Sequence, residues 1–472
     1  MVTHDVFNQP PPLEGYDVFG QDQALVEGLH REGAAWADDR LHELGVLAGS
    51  AEAIRWGFDA NRHPPELHSH DRFGHRIDEV EYHPSYHKLM AVAVEHGLHA
   101  APWRERRAGG HVARAAGFYV WSQAEAGHGC PISMTYSAVP ALRAQPEVAE
   151  LWEPLLTAPC YDPRSGPAFG SAATKAGVLA GMAMTEKQGG SDVRSNTTAA
   201  RPVGAGGPGA EYLLTGHKWF CSAPMCDLFL VLAQTPVGLS CFALPRWTPD
   251  GARNRFFIQR LKDKLGNRSN ASSEIELDGA WAQLVGEEGR GTATIIEMVN
   301  HTRLDCVIGA AAGMRQAVAQ AAHHAGYRTA FGRALVEQPL MLSVLADLAV
   351  ESEAASAAML RLARAYDRAP VDDHEAAFRR LATTVVKYWV CKRQPSTVAE
   401  ALECLGGNGY VEESIMPRLF RESPLNGIWE GSGNVICLDA LRAMRRQPES
   451  VTAFFDEVGE AGGVDSRLDA AI

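Results

Sequence analysis

The residues best suited to chemistry begin at 184–196, which read MTEKQGGSDVRSN: a Thr-Glu opening, a glycine pair, then Ser191 and Asp192. Gly189 and Gly190 let backbone approach a flat ligand closely. Thr185, Ser191 and the main-chain groups from Met184 to Val193 offer short hydrogen bonds of the kind a planar ring and a pyrophosphate need. A second segment, NGIWEGSGNVICLDALRAM from Asn426, places Glu430 at a tight turn, with Gly431, Ser432 and Asn434 leading into a helix and Trp429 just before it. A carboxylate removes a proton from carbon only when burial or a bound ligand raises its pKa, because a fully solvated one is too weak a base. Read as structure alone, Glu430 is an acid stabilising the start of the following helix.

A third segment is Trp219-Phe220-Cys221-Ser222, which follows Gly216-His217-Lys218. Its aromatics can stack on a flat ring while Ser222 donates to the ring edge, or they can be the core side chains of a half-buried strand. Gly406 and Gly407, in ECLGGNGYVEES from Glu403, read structurally as a helix stop. Two further patterns carry less. Residues 204–209 fit G-x-G-x-x-G, yet Pro208 and a strand follow where a phosphate-binding helix should begin, so a hairpin loop is expected. His63, His68, His70, His75, His83 and His87 crowd one polar stretch without ligand spacing on a single element, and no metal site is expected.

These segments must be positioned by three kinds of texture. From Asp22 to about Ala180, apolar residues recur at three- and four-residue spacing and predict helices. From Gly181 to about Leu284, short strands are separated by Gly, Pro and Asn turns. Beyond Gly291, long Ala- and Leu-rich helices return over 303–330, 338–366 and 376–406. The expected organisation is an amino-terminal arm and helical domain at 1–180, a β domain at 181–285, a carboxy-terminal helical domain at 286–448 and a short acidic tail at 449–472. The opening run VFNQPPPLEGYDVFG from Val6 has prolines that fix an extended course, and it is expected to drape over another surface.

A chain of 472 residues, 46% of them hydrophobic, can bury a large core. With 44 Lys and Arg against 57 Asp and Glu, its net charge of −13 disfavours a polyanion as partner. Nine cysteines without close-paired spacing fit a reducing compartment, and with no export signal or membrane-spanning run a cytoplasmic protein without membrane partners is expected.

Taken together, the 184–193 motif, the Glu430 turn and the helix–β–helix order resemble the acyl-CoA dehydrogenase family. Lys187-Gln188 after Thr185-Glu186, the arm FNQP at 7–10 and LKDKLGNRSNAS from Leu261 are similar to the AidB branch, flavoproteins of the bacterial response to DNA alkylation. The resemblance runs from near the start to about Leu441. It implies an α+β fold with a helical domain, a central β-barrel-like domain and a carboxy-terminal helical bundle, with FAD as cofactor. It implies Met184, Thr185, Gly189, Gly190, Ser191, Val193, Trp219, Phe220, Ser222, Trp429, Gly431 and Asn434 at the flavin. In the family the residue matching Glu430 takes an α-proton of an acyl-CoA thioester while a β-hydride leaves to the flavin, and its own amide with a flavin hydroxyl polarises the thioester carbonyl. Some relatives carry the base just before an arginine on a long helix. Here that slot is Thr302, before Arg303, and threonine is too weak a base. Arg303 either ties the Glu430 region by charge-assisted hydrogen bonds or is solvated on its helix.

RTAFGRALVEQ from Arg328 looks like the pattern through which a neighbouring subunit grips the ADP half of the flavin, implying roles for Arg328, Phe331, Gln338, Gly406 and Gly407 and a homo-oligomer, a tetramer. Ordinary members carry Gln where this chain has Glu403, whose charge would repel pyrophosphate. AidB proteins continue into a further helical domain implicated in DNA binding; most of it is expected to be missing here, and the residues after Arg446 are net acidic, so weak or no duplex DNA binding is expected. Three functions follow: an alkylation-stress flavoprotein with residual α,β-dehydrogenation, a working short branched-chain acyl-CoA dehydrogenase, and a binding protein with a structural flavin and a DNA or protein ligand.

Overall fold

The computed structural model describes residues 3–170 and 173–471; residues 1, 2 and 472 of the expected terminal segments lie outside them. Its contacts divide the chain into two units. One comprises Glu52–Arg106 and Glu125–Thr302; the other comprises the chain up to Ala51, Arg107–Ala124 and the chain from Arg303.

The first unit carries the sheet. A hairpin of β1 (Glu66–His70) and β2 (Arg76–Glu81) precedes seven strands: β3 (Ala180–Ala183), β4 (Ala199–Pro202), β5 (Glu211–Ser222), β6 (Leu228–Gln234), β7 (Leu239–Pro245), β8 (Phe256–Leu261) and β9 (Ser272–Val285). The order is β3-β6-β4-β5-β9-β7, with β8 on β9, and the β6–β7 pairing closes the path into a barrel. LFLVLAQ in β6 and LSCFALP in β7 are buried at nearly every position, which is why they read as continuous apolar runs rather than as alternation. β5 does alternate, burying Tyr212, Leu214 and Lys218. Residues 204–209 lie in the loop joining antiparallel β4 and β5, the hairpin connection expected of them.

The helical reading of 22–180 needs one correction. Residues 66–81 form the β1–β2 hairpin, turned through Asp71, whose carboxylate accepts from the amides of Phe73 and His75, and Gly74 at φ +87°. ELHSH alternates in exposure along β1, a period-2 signal hidden by its polar residues. The histidines of this stretch engage in ordinary pairs: His68 with Glu81 and His75 with Asp71. Among the described residues no group of three or more His, Cys, Asp or Glu has metal-site geometry.

The second unit is helical. Gly110–Ser122 is buried on all sides, as an apolar helix at the centre of a bundle must be, and its Arg114 forms a two-armed ion pair with Asp305, one arm at 2.9 Å. Pro339–Arg368 packs against it, Asp373–Cys404 packs against Pro339–Arg368, and Gly433–Arg446 lies against Asp373–Cys404. Asp372 caps the second of these by accepting from the amides of His374 and Glu375, and Gly406 at φ +59° ends it. Among the described residues the opening arm forms no helix up to Gly20, and it lies along this unit. Asn8 exchanges hydrogen bonds with Thr329, its carbonyl accepts from Arg328 at 2.6 Å, and the Pro11 carbonyl accepts from His323 at 2.8 Å. Among the described residues no helix is long and apolar enough to cross a membrane.

Candidate functional site

In the strand unit the first and third motifs come together. The Trp219 amide donates to the Thr185 carbonyl at 2.8 Å, setting the end of β3 beside β5. Between Lys218 and Cys221 the β5–β9 register shifts, a bulge that turns Trp219 and Phe220 out of the regular alternation. Phe220 is left 47% exposed. Lys262 places its ammonium 3.2 Å from the centre of the Trp219 ring, with Lys187 and Arg260 farther off, so one face of this indole is already occupied by a cation. The same ammonium lies 4.6 Å from the centre of the Phe220 ring, so one cation serves both aromatics. Ser222 shares a hydrogen bond of 3.2 Å with Ser272.

The loop after β3 is presented by a buried pair. Glu186 accepts from Lys218 Nζ at 2.7 Å, from the amides of Thr197 and Thr198, and from Gln188. Burial alone would raise the Glu186 carboxyl, but the ammonium and the amides draw it down to about 2. Burial also pulls Lys218 down, against the opposing carboxylate; with its donors bonded to Glu186 and to the Leu232 carbonyl, the pair is charged on both sides. This pair was not foreseen as functional, although the alternation of β5 sets position 218 on the same inward face as Tyr212 and Leu214. Above it, neither Thr185 nor Ser191 has a hydrogen-bond partner for its hydroxyl among the described residues. The two glycines differ: a Cβ on Gly189 would meet nothing within 4 Å, whereas one on Gly190 would lie 2.6 Å from Thr185 Oγ1. Gly189 thus leaves open space and Gly190 makes room for Thr185. Asn196 Nδ2 holds the Met184 carbonyl at 2.9 Å, and Val193 opens a short 3₁₀ turn. A cavity of about 480 Å³ adjoins the end of β5 at Ala223, walled by Tyr82, Tyr86, Met90 and Met225.

In the helical unit Glu430 is half-buried at φ +57°, a left-handed conformation that a side chain with a Cβ adopts only when its surroundings impose it. The surroundings are two buried cations. Lys387 Nζ donates to the Trp429 carbonyl at 3.1 Å and to the Gly431 carbonyl at 2.6 Å, and Arg303 Nε donates to the Glu430 carbonyl at 3.0 Å. Of the two fates open to Arg303, the structure shows the tie to Glu430. Arg303 Nη1 also reaches Asp439 at 2.7 Å, and Arg380 meets the same carboxylate at 2.9 Å. Burial would raise Asp439, but the two guanidinium groups hold it below the usual range. Gly431, at φ +103°, has Ile436 and Arg303 within 3.5 Å of where a Cβ would stand. The Trp429 indole donates to Asn426, and Asn434 is exposed in the first turn of Gly433–Arg446. Thr302 is buried with its hydroxyl on the Val299 carbonyl.

The remaining expected residues gather elsewhere on the helical unit. Arg328 donates to Asn8, Gln338 donates to the Ala330 carbonyl at 3.0 Å, and Phe331 stands 98% exposed at the tip of the 329–334 hairpin. Gly406, Gly407 and Glu403 are exposed, and Asn408 beside them reaches Gln9 of the arm.

A closed barrel in one unit and a helical bundle in the other make up the fold of acyl-CoA dehydrogenases. The comparisons agree. The family signature described as "Adaptive response protein AidB N-terminal domain" matches residues 8–163, that of the acyl-CoA dehydrogenase middle domain residues 181–280, and that of its C-terminal domain residues 289–445. The chain is 47% identical to AidB of Escherichia coli (strain K12) over 472 residues, covering all of this chain and 86% of that protein. It is 30% identical to acyl-CoA dehydrogenase family member 11 of Caenorhabditis elegans, over 88% of this chain and 68% of that one. The crystal structure of Caenorhabditis elegans ACDH-11 in complex with C11-CoA superposes with a TM-score of 0.89 at 28% identity, covering 100% of this chain and 81% of that chain. The chain belongs to the acyl-CoA dehydrogenase family, on its AidB branch.

Proposed function

We propose that this chain is an FAD-binding flavoprotein of the alkylation-stress response that retains α,β-dehydrogenation of an acyl-CoA thioester, with Glu430 as its base. The observation that carries the reading is the Glu430 turn: a left-handed glutamate whose own carbonyl and both neighbouring carbonyls are bound to buried cations. Such an investment of charge in a three-residue turn is expected where a carboxylate and a main-chain amide must be aimed. Family membership and the 47% identity to AidB support the stress-response assignment over a metabolic one.

The residues fit a flavin. Unengaged hydroxyls at Thr185 and Ser191, the open side of Gly189 and the exposed Phe220 ring supply hydrogen bonds, clearance and a stacking surface within one unit. When bound, FAD supplies the two-electron acceptor for the β-hydride. The chain's own part is to hold the thioester so that the Glu430 carboxylate takes the α-proton, the electrons of that C–H bond becoming the new double bond as the β-hydride departs. The Glu430 amide donates to the thioester oxygen where negative charge gathers.

This reading includes the domain division at 1–180, 181–285, 286–448 and 449–472, a cytoplasmic location, and weak or no binding to duplex DNA, consistent with the net charge of −13. It also includes a homotetramer in which the exposed Phe331 hairpin, with Arg328 and Gln338, serves a neighbour's cofactor, for which the 98% exposure of Phe331 is the support. The test is the colour of the purified protein and its response to isovaleryl-CoA under anaerobic conditions. Yellow protein that bleaches slowly supports the reading; fast bleaching favours the short branched-chain dehydrogenase. Glu430→Gln should slow whatever bleaching exists by about 10²- to 10⁴-fold while leaving the colour, and unchanged bleaching would remove Glu430 from the role.

A further inference from the structure

We infer that Lys387 is a positioning residue for thioester polarisation: its buried ammonium sets the direction of the Glu430 amide N–H. This rests on the reading of the Glu430 turn as the thioester site.

Lys387 is 1% exposed on the helix Asp373–Cys404, and its Nζ bridges the carbonyls of Trp429 and Gly431 at 3.1 and 2.6 Å. In a trans peptide the C=O and N–H vectors point in opposite directions. Anchoring the Trp429 carbonyl on Lys387 therefore sends the N–H of the same peptide, that of Glu430, away from the helix. The ammonium also polarises this peptide from its oxygen end, which strengthens the N–H as a donor. The second anchor at Gly431 and the Arg303 bond to the Glu430 carbonyl over-determine a turn that Glu430 at φ +57° would otherwise leave.

Two thiols and three carboxylates surround the Lys387 turn. Cys306 on Gly291–Tyr327 and Cys391 one turn along the lysine's own helix both feel the ammonium, yet burial pushes both thiols up, Cys391 to about 12, so both are neutral near pH 7. Asp439 is engaged by Arg303 and Arg380, and Asp305 by Arg114. Arg303 adds a second cation at the turn, and the remaining carboxylate facing it is that of Glu430 itself. A lysine needed only to fill this helix face could be replaced by methionine of similar volume at no electrostatic loss; a lysine needed for its field could not.

The experiment uses the full-length flavoprotein and acetoacetyl-CoA, whose α-carbon ionises readily and whose enolate beside an oxidised flavin gives a long-wavelength absorption band. The pH midpoint of that band reports how well the site stabilises the enolate. Lys387→Met is expected to raise the midpoint by about one pH unit, a tenfold loss of enolate stabilisation, and Lys387→Arg to restore at least half of it. Binding of a non-ionisable thioether analogue should change less than about twofold, because the lost donor acts only on developing charge. Should Lys387→Met fail to fold, Lys387→Gln carries the same expectation. An unmoved midpoint overturns the inference, as does absence of the band in the wild type, or a loss of the band that only parallels lost flavin and a lowered unfolding temperature. Glu430→Gln separates the failures. If it abolishes isovaleryl-CoA bleaching while Lys387→Met leaves the midpoint unmoved, the amide-positioning role alone falls; if bleaching survives while the midpoint shifts, the base assignment alone falls.

Discussion

In the strand unit the hydroxyls of Thr185 and Ser191 sit beside an open glycine and an exposed aromatic, whereas around Glu430 each main-chain carbonyl of the turn is held by a buried cation. Each region also buries a lysine, but with different partners. Lys218 meets the carboxylate of Glu186, and the pair cancels as a local charge while it shapes the loop that presents Thr185. Lys387 instead donates to two neutral main-chain carbonyls and so fixes the course of the turn. Under the proposed function the contrast separates two tasks. A surface for a large planar ligand can leave its polar groups unsatisfied until the ligand arrives, while a site where charge moves must be organised beforehand.

The largest effect is expected at Lys218. Lys218→Met leaves Glu186 ionised and unpaired in the barrel, and should cost about 3–5 kcal/mol in urea unfolding, against a much smaller effect for Lys387→Met, whose carbonyl partners remain neutral. A loss of under 1 kcal/mol at Lys218 would mean that its pairing is not what holds the loop.

Acid titration sharpens the same point. Because the Glu186 carboxyl is held near 2 in the fold, below its ordinary 4.5, the native state binds fewer protons than the unfolded chain between those values. Its contribution to stability is present above pH 4.5 and lost as pH falls toward 2. It amounts to as much as about 3 kcal/mol. In Glu186→Gln, unfolding measured from pH 6 down to pH 2.5 should show a correspondingly shallower acid loss than in the wild type. Parallel curves would place the acid sensitivity elsewhere.

The smallest expected effect concerns the open face. Thr185→Val removes one hydroxyl without changing shape, so FAD affinity, read by flavin fluorescence on dilution, should weaken about tenfold with no change in unfolding of the flavin-free protein. A drop in the stability of the flavin-free protein would show that the hydroxyl serves the fold instead.

Much of the architecture could be read in advance. Two of the three long helices beyond Gly291, Pro339–Arg368 and Asp373–Cys404, fall within a few residues of their expected ranges, whereas Gly291–Tyr327 begins well before the expected 303; strands β3 to β9 lie between Ala180 and Val285, because local periodicity and Gly, Pro and Asn turns report on local structure. The β1–β2 hairpin was missed because its strands are short and its alternation is carried by His, Glu and Arg rather than by apolar residues. For the site, the 184–193 loop and the Trp219–Ser222 strand are adjacent in the fold, joined by the Trp219 amide and the Thr185 carbonyl. The covering of Trp219 by Lys262 had no local signal, since the two are brought together by the pairing of β5 and β8 on β9.

Residue types and their spacing alone determined which segments could meet a planar cofactor and which carboxylate stands at a turn, since a glycine pair, a hydroxyl and a Trp-Glu-Gly run carry those capacities wherever the chain folds. Only the tertiary structure decided that Lys387 and Arg303 would converge on that turn and that Lys218 would be neutralised by Glu186. The direction of a peptide and the survival of a buried charge depend on partners tens to more than a hundred residues away, and no local pattern encodes such distances.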